Sequence, residues 1–168
     1  QKNLGSADVA LLTAWLQRPE VSTAVLNSLT VDSTGNMKSQ KTYTLTAGED
    51  QIQLSEKNLG SADVALIAAW LQRPEVSAAV AEVIISGNMI TGSKNRMDGT
   101  GNWDYDVDLS GLASLGEAMV ASKTLKEACA GTHHFTSQFT RKSIASFPKG
   151  RAHCALQSGP TVWCQAQR

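Results

Sequence analysis

The chain has 168 residues, of which 42% are apolar and 18% are charged, the size and composition of one folded domain rather than of a disordered or fibrous protein. No run approaches the ~18 consecutive apolar residues of a membrane-spanning helix, and three cysteines cannot form a disulfide framework in a chain of this length. The net charge of zero indicates no nucleic-acid partner.

This zero net charge conceals an uneven distribution. Residues 1–127 carry 10 Lys and Arg and all 15 Asp and Glu, a net charge of −5, whereas residues 128–168 carry 5 Lys and Arg and no acidic residue, a net charge of +5. All cysteines, histidines and phenylalanines also lie after residue 127. We therefore predict two regions, a repeat-containing body over 1–127 and a basic C-terminal extension or cap over 128–168.

A 55-residue repeat organises the body. The segments 2–25 and 57–80 are identical at 21 of 24 positions, and both begin with the same helical pattern. Ser61 is a natural N-cap, and Asp63 follows in the first turn, where a negative charge is favourable. Apolar residues at helical spacing then continue until Pro74 ends the pattern. The sequence predicts one helix in each copy and a third helix at about 112–122.

Short strands are predicted between the helices, centred near residues 31, 54, 85 and 109. One segment is a complete match to the leucine-rich repeat pattern, and it carries the fixed positions at Val80, Val83, Ile85, Asn88 and Ile90. Three other segments match this pattern in part. Trp15 and Trp70 occupy the same helix position in the two copies, and we expect them to pack against a neighbouring repeat rather than bind a ligand.

On these residues, the segment 2–125 resembles the leucine-rich repeat family, most closely its helix-bearing, ribonuclease-inhibitor-like type. The resemblance implies an α/β solenoid with a short, curved parallel sheet of about four strands, helices on the convex side and an irregular C-terminal tail. Because no single repeat buries its apolar stripe, about three or more repeats must stack. The array starts without the strand that should precede its first helix. This predicts either a fragment or processed piece of a longer repeat protein, which is the favoured interpretation, or a partner that covers the open end.

Two segments and the tail interrupt this pattern. Residues 38–50 and 91–104 are rich in small polar residues and are predicted to be loops, which either bind a partner or merely connect repeats. The tail is interpreted as a cap, as an arm that lies on another protein or as an altered reading frame. Phe135 and Phe139 have the spacing of one helical turn.

No cofactor, metal site or catalytic residue is predicted. Zinc prefers cysteine and histidine ligands, but the spacing of these residues in the tail fits no usual zinc template. Alternatively, Cys154 and Cys164 form a disulfide bond. The acidic segment 98–108 does not fit a calcium loop, because counting from Asp98 or Asp104 gives no glycine at the sixth position and no glutamate at the twelfth. Histidines occur only in the tail, so the body has no imidazole to activate a serine.

The remaining candidate is the predicted concave face of the strands. Its outward side chains are the predicted partner-binding residues: Thr30, Asp32, Gln53, Ser55, Ile84, Ser86, Asp108 and Ser110. This polar, mildly acidic row predicts a non-enzymatic scaffold that binds another protein or a multi-protein complex through the strand face and the loops. The alternative is a peripheral structural subunit of a large assembly, anchored by its C-terminal tail.

Overall fold

A computed structural model describes residues 4–22, 26–92, 94–95, 103–104, 107–132 and 135–140. The helices are α1 (Ser6–Leu16), α2 (Pro19–Ser22), α3 (Ser61–Leu71), α4 (Pro74–Ser77) and α5 (Ser110–Ala121). The strands are β1 (Ser28–Asp32), β2 (Thr42–Thr46), β3 (Gln51–Gln53), β4 (Glu82–Ile84), β5 (Lys94–Asn95), β6 (Trp103–Asp104), β7 (Glu127–Thr132) and β8 (Phe135–Thr140).

The largest sheet is mixed and has the strand order β3-β4-β7-β8. Strands β3, β4 and β7 run parallel, with Ile52, Val83 and Ala128 in register across them. Strand β8 returns antiparallel to β7. Two antiparallel pairs, β1-β2 and β5-β6, lie outside this sheet.

Helix α3 lies between α1 and α5 and contacts both. Nine of its eleven residues are buried, whereas only Val9 and Leu16 are buried in α1. The two helices have nearly the same sequence, so this difference comes from position rather than composition. The central helix therefore carries much of the apolar core, and the first helix retains an open side.

The repeated helices begin as the sequence predicts, shifted by one residue. The N-cap is Gly60 rather than Ser61, and the carboxylate of Asp63 accepts a hydrogen bond from the Gly60 amide. This hydrogen bond satisfies one of the free amides at a helix start. Helix α3 ends at Leu71, and Pro74 begins the short helix α4, as expected for proline at a first helical position.

Asn88 connects the turns that follow β3 and β4. Its side chain is 1% exposed, and its amide nitrogen donates hydrogen bonds to the carbonyl oxygens of Leu54 and Ile85. Its amide oxygen accepts a hydrogen bond from the Leu59 amide. Buried backbone groups in these turns are therefore satisfied by one side chain. Val83 and Ile85 are both fully buried, as their positions in the repeat pattern predict.

The predicted leucine-rich repeat solenoid is wrong, because the strands do not form one continuous parallel array. Strand β1, predicted near residue 31, pairs antiparallel with β2 instead of joining the large sheet. The segment 38–50, predicted to be a loop, supplies that partner. In β2, Tyr43 and Leu45 are buried and alternate with exposed threonines, a strand pattern that pairs locally at lower loop-closure cost.

The strand predicted near residue 109 is also absent. Leu109 is the N-cap of α5, and Val107 is half exposed. The carboxylate of Asp108 accepts hydrogen bonds from the amide and hydroxyl of Ser110. These local hydrogen bonds favour a helix start over an extended strand, which explains why the helix begins at residue 110.

The tail contributes strands rather than an irregular extension at its start. Strand β7 begins at Glu127 and continues to Thr132, so it crosses the predicted boundary between residues 127 and 128. Phe135 and Phe139 lie on β8 and not on a helical turn. The segment 141–168 lies outside the described residues, as does most of the second predicted loop, in which β5 pairs with β6.

Candidate interaction surface

The outward side of β3 and β4 is a small polar surface, here called the strand face, made of Gln51, Gln53, Glu82 and Ile84. The glutamines are exposed, and Glu82 and Ile84 are half-buried. Ile52 and Val83 alternate with them and face the core, as expected for period-2 strands. The amide of Gln51 donates a hydrogen bond to the Glu82 carboxylate at 2.6 Å, which ties the two strands together at this surface.

The turns that follow these strands extend the strand face. The hydroxyl oxygens of Ser55 and Ser86 lie 3.0 Å apart. The Ser55 hydroxyl also donates to the side-chain oxygen of Gln53 at 2.8 Å. The structure therefore brings together four of the predicted partner-binding residues, namely Gln53, Ser55, Ile84 and Ser86.

A shallow depression of about 310 Å³ lies next to these turns. Its lining residues are Ser39, Lys41, Glu56, Asn58, Gly87 and Met89. The ammonium group of Lys41 donates to the backbone carbonyl of Glu56 at 2.7 Å. The sequence interpretation did not single out these residues. Their position could have been inferred from the sequence, because Glu56 and Gly87 directly follow the predicted binding residues Ser55 and Ser86 and line the depression.

The other four predicted residues lie elsewhere. Thr30 and Asp32 are on the β1-β2 hairpin, where they pair with the hydroxyl groups of Thr44 and Thr42 respectively. Asp108 and Ser110 are at the start of α5. The hydrogen bonds that Ser110 donates to the Asp108 carboxylate hold the pKa of Asp108 below its usual value. The eight residues therefore do not form one row, because the hairpin and the helix start replace two of the expected parallel strands.

A buried polar cluster surrounds Asp63. Its carboxylate accepts hydrogen bonds from the amide and hydroxyl of Thr34, the amide of Gly60 and the hydroxyl of Tyr43, at 2.7 to 3.0 Å. Burial raises the pKa of Asp63, and the hydrogen bonds oppose that rise. Because the side chain is 0% exposed, no substrate reaches it. The cluster instead joins α3 to the segment that carries β1 and β2.

Tyr43 shares this environment. Burial, followed by the negative charge of Asp63, raises the pKa of the Tyr43 hydroxyl far above its usual value. In the unfolded chain the same hydroxyl ionises near pH 10. Above about pH 10 the unfolded state releases a proton that the folded state retains, so the Tyr43 hydroxyl makes folding less favourable as the pH rises.

The variant Tyr43→Phe tests this linkage. At neutral pH it loses the hydrogen bond to Asp63, and we expect the free energy of unfolding to fall by about 1–2 kcal/mol. Phenylalanine cannot ionise. The difference in free energy of unfolding between wild type and variant should therefore narrow above about pH 10, by at most about 1.4 kcal/mol per pH unit. Urea unfolding of both proteins at about pH 7 and about pH 11 measures this gap. A gap that stays constant contradicts the linkage.

Metal-binding clusters and membrane-spanning helices are both absent from the part of the chain that the structure describes. Across the described residues, no group of three or more His, Cys, Asp or Glu side chains lies together in a way that could hold a metal ion. The three histidines, Cys154 and Cys164 of the tail lie outside this part of the chain, as does most of the acidic segment 98–108. No helix within the described ranges is both long and apolar enough to span a membrane.

Comparisons with protein-family models, with curated proteins and with solved structures found no match to this chain. The resemblance of residues 2–125 to the leucine-rich repeat family therefore stays a prediction.

Proposed function

We propose that the protein is a non-enzymatic interaction module that binds another protein through the strand face and the adjoining serine turns. The observation that carries the proposal is the clustering of Gln53 and Ile84 on two parallel, in-register strands with Ser55 and Ser86 on the turns that follow them. An apolar side chain surrounded by hydrogen-bonding groups is the usual make-up of a protein contact surface.

The strand face is supported from behind by the core. Ile52 and Val83 are at most 3% exposed, and Asn88 holds the turns between the same strands. A surface fixed in this way loses little conformational entropy when a partner binds. Hydrogen bonds from Gln51 to Glu82 and from Ser55 to Gln53 hold several of its side chains in place.

A catalytic role is disfavoured by the accessibility of the titratable groups. The described carboxylate whose pKa is raised, Asp63, is fully buried and engaged in four hydrogen bonds. Catalytic acids and bases with perturbed pKa values normally open onto a cleft that substrate can enter. The depression beside Lys41 and Glu56 is shallow, and the Lys41 ammonium is already hydrogen-bonded to a backbone carbonyl.

The strand face is tested by substitution at its apolar centre. We expect Ile84→Glu to reduce recovery of the bound protein at least about tenfold, as for an apolar contact worth about 1.4 kcal/mol or more. The readout is quantitative mass spectrometry of proteins that co-purify with the tagged full-length chain from its native source. Ala121→Glu is the matched control, because Ala121 is exposed at the end of α5.

The same experiment separates the alternative function. If Ile84→Glu and Gln53→Ala leave every co-purifying protein unchanged, the strand-face proposal is wrong. If deletion of residues 141–168 then abolishes co-purification, the result favours a structural subunit that is anchored by its tail.

A further inference from the structure

The two copies of the repeat present the same stripe of side chains in different surroundings. In α3 and its following turn, Asp63, Leu66, Trp70 and Arg73 lie three or four residues apart and share one side of the helix. Asp63 bonds to Thr34, and a guanidinium nitrogen of Arg73 donates to the Val21 carbonyl at 3.1 Å. Leu66 and Trp70 are both fully buried. This stripe therefore faces the first copy of the repeat.

The first copy carries the identical residues at the same spacing, here called the α1 stripe: Asp8, Leu11, Trp15 and Arg18. All four are exposed, with Leu11 72% and Trp15 41% exposed. An adjacent exposed leucine and tryptophan are uncommon on a monomer surface and are typical of an interaction site. The chain itself shows that this set of side chains packs well when a protein surface covers it.

The α1 stripe is complementary to itself. Asp8 lies in the first turn of α1, and Arg18 lies two residues beyond its last residue, so opposite charges stand at the two ends of the stripe. Asp8 and Arg18 are equally distant from Thr13, and so are Leu11 and Trp15. An antiparallel second helix of the same sequence therefore places Asp8 next to Arg18 of the second copy, and Leu11 next to Trp15 of the second copy, with each contact made twice.

We propose that the chain forms a two-fold symmetric homodimer through the α1 stripe. Each dimer buries two leucines and two tryptophans and forms two Asp8–Arg18 ion pairs, which is the reciprocal pattern that a two-fold axis requires. A contact between single helices is small for a protein interface, so the dissociation constant is on the order of micromolar. The proposal does not depend on the strand face, which lies on β3 and β4.

The experiment is sedimentation equilibrium of the full-length chain at protein concentrations from about 1 to about 100 µM. The wild type should shift from monomer to dimer across this range. Arg18→Asp places like charges together at both ion pairs, and Asp8→Arg does the same, so each should raise the dissociation constant at least about tenfold. The double variant Asp8→Arg/Arg18→Asp restores opposite charges and should recover dimerisation.

Two further variants complete the test. Leu11→Glu should prevent dimerisation by placing charge at the apolar centre. Ala10→Glu is the matched control, because Ala10 is exposed on α1 but lies outside the stripe, and it should leave the equilibrium unchanged. Asp8 also accepts a hydrogen bond from the Gly5 amide at 2.8 Å, so circular dichroism must show that each variant keeps its helices.

Four results would overturn the proposal. The first is a wild type that stays monomeric throughout the concentration range. The second is a dimer that Leu11→Glu and Arg18→Asp do not weaken. The third is a double variant that fails to recover dimerisation while it remains folded. The fourth is growth beyond dimers, which indicates a head-to-tail contact instead of a closed symmetric one.

Discussion

Replacing Trp70 with alanine should lower the free energy of unfolding by about 3–5 kcal/mol, whereas the same change at Trp15 should lower it by about 1 kcal/mol. The two residues have the same helix position and the same neighbours in sequence. Trp70 is fully buried and Trp15 is 41% exposed. Comparing Trp70→Ala with Trp15→Ala therefore measures how much burial in the central helix contributes to stability for the same residue type.

The large effect at Trp70 comes from the cavity that alanine leaves. The indole lies in the apolar core, and the Arg73 guanidinium lies over its ring at 5.2 Å from the centroid. Removing the ring deletes these contacts and exposes Arg73, which is itself buried, to a void. The indole N–H has no hydrogen-bond partner within the described part of the chain, so Trp70→Phe should be less costly than its loss of volume alone suggests.

Urea unfolding followed by circular dichroism measures both variants. Low protein concentration keeps any self-association through the α1 stripe from adding to the measured stability. Equal losses for Trp70→Ala and Trp15→Ala would contradict the central placement of α3.

Replacing Asp63 with alanine should lower the free energy of unfolding by about 3 kcal/mol or more. The change leaves the amides of Thr34 and Gly60 and the hydroxyl groups of Thr34 and Tyr43 without their shared acceptor in a buried site. Asp8 is the matched position in the first copy. It is exposed and accepts one hydrogen bond, from Gly5, so Asp8→Ala should cost only about 0.5–1 kcal/mol.

Asp63→Asn should fall between these values, at about 1–2 kcal/mol. One amide oxygen can keep the three hydrogen bonds from Thr34 and Gly60, while the amide nitrogen faces the Tyr43 hydroxyl, which can rotate to accept. Chemical denaturation at neutral pH ranks the three variants. If Asp63→Asn is as damaging as Asp63→Ala, the cluster depends on the negative charge itself and not on the number of acceptors.

Local signals predicted the helices because their causes are local. The repeated segment, its early aspartate and Pro74 place α1 and α3 within a residue or so of their observed bounds. The alternation of Val83 and Ile85 also predicted correctly which side of the chain is buried. In each case a short stretch of sequence contains the capping group, the helix breaker or the apolar period that decides the structure.

Strand pairing was not predictable in the same way. Whether residues 28–32 join the large sheet or pair with a nearby strand depends on competition between the available partner strands. The nearby strand around Tyr43 was not predicted, because it lies in a segment rich in polar residues. For the same reason, four of the eight predicted binding residues, Thr30, Asp32, Asp108 and Ser110, lie away from the strand face. The four that the structure does bring together lie on β3, β4 and their turns, and β4 belongs to the segment with the complete match to the repeat pattern.

Near identity of the two copies also creates a competition during folding, since either helix has the sequence to fill the central place. The copies differ there at Thr13 and Ala68. Ala68 is 1% exposed in the crowded centre, whereas Thr13 is half-buried at the periphery and its hydroxyl bonds to the Val9 carbonyl. Exchanging the helices would force the larger threonine into a filled space, at a cost of about 1–3 kcal/mol. The additional hydroxyl and methyl groups of threonine at this one position thus help the chain to select a single arrangement over its internal duplicate.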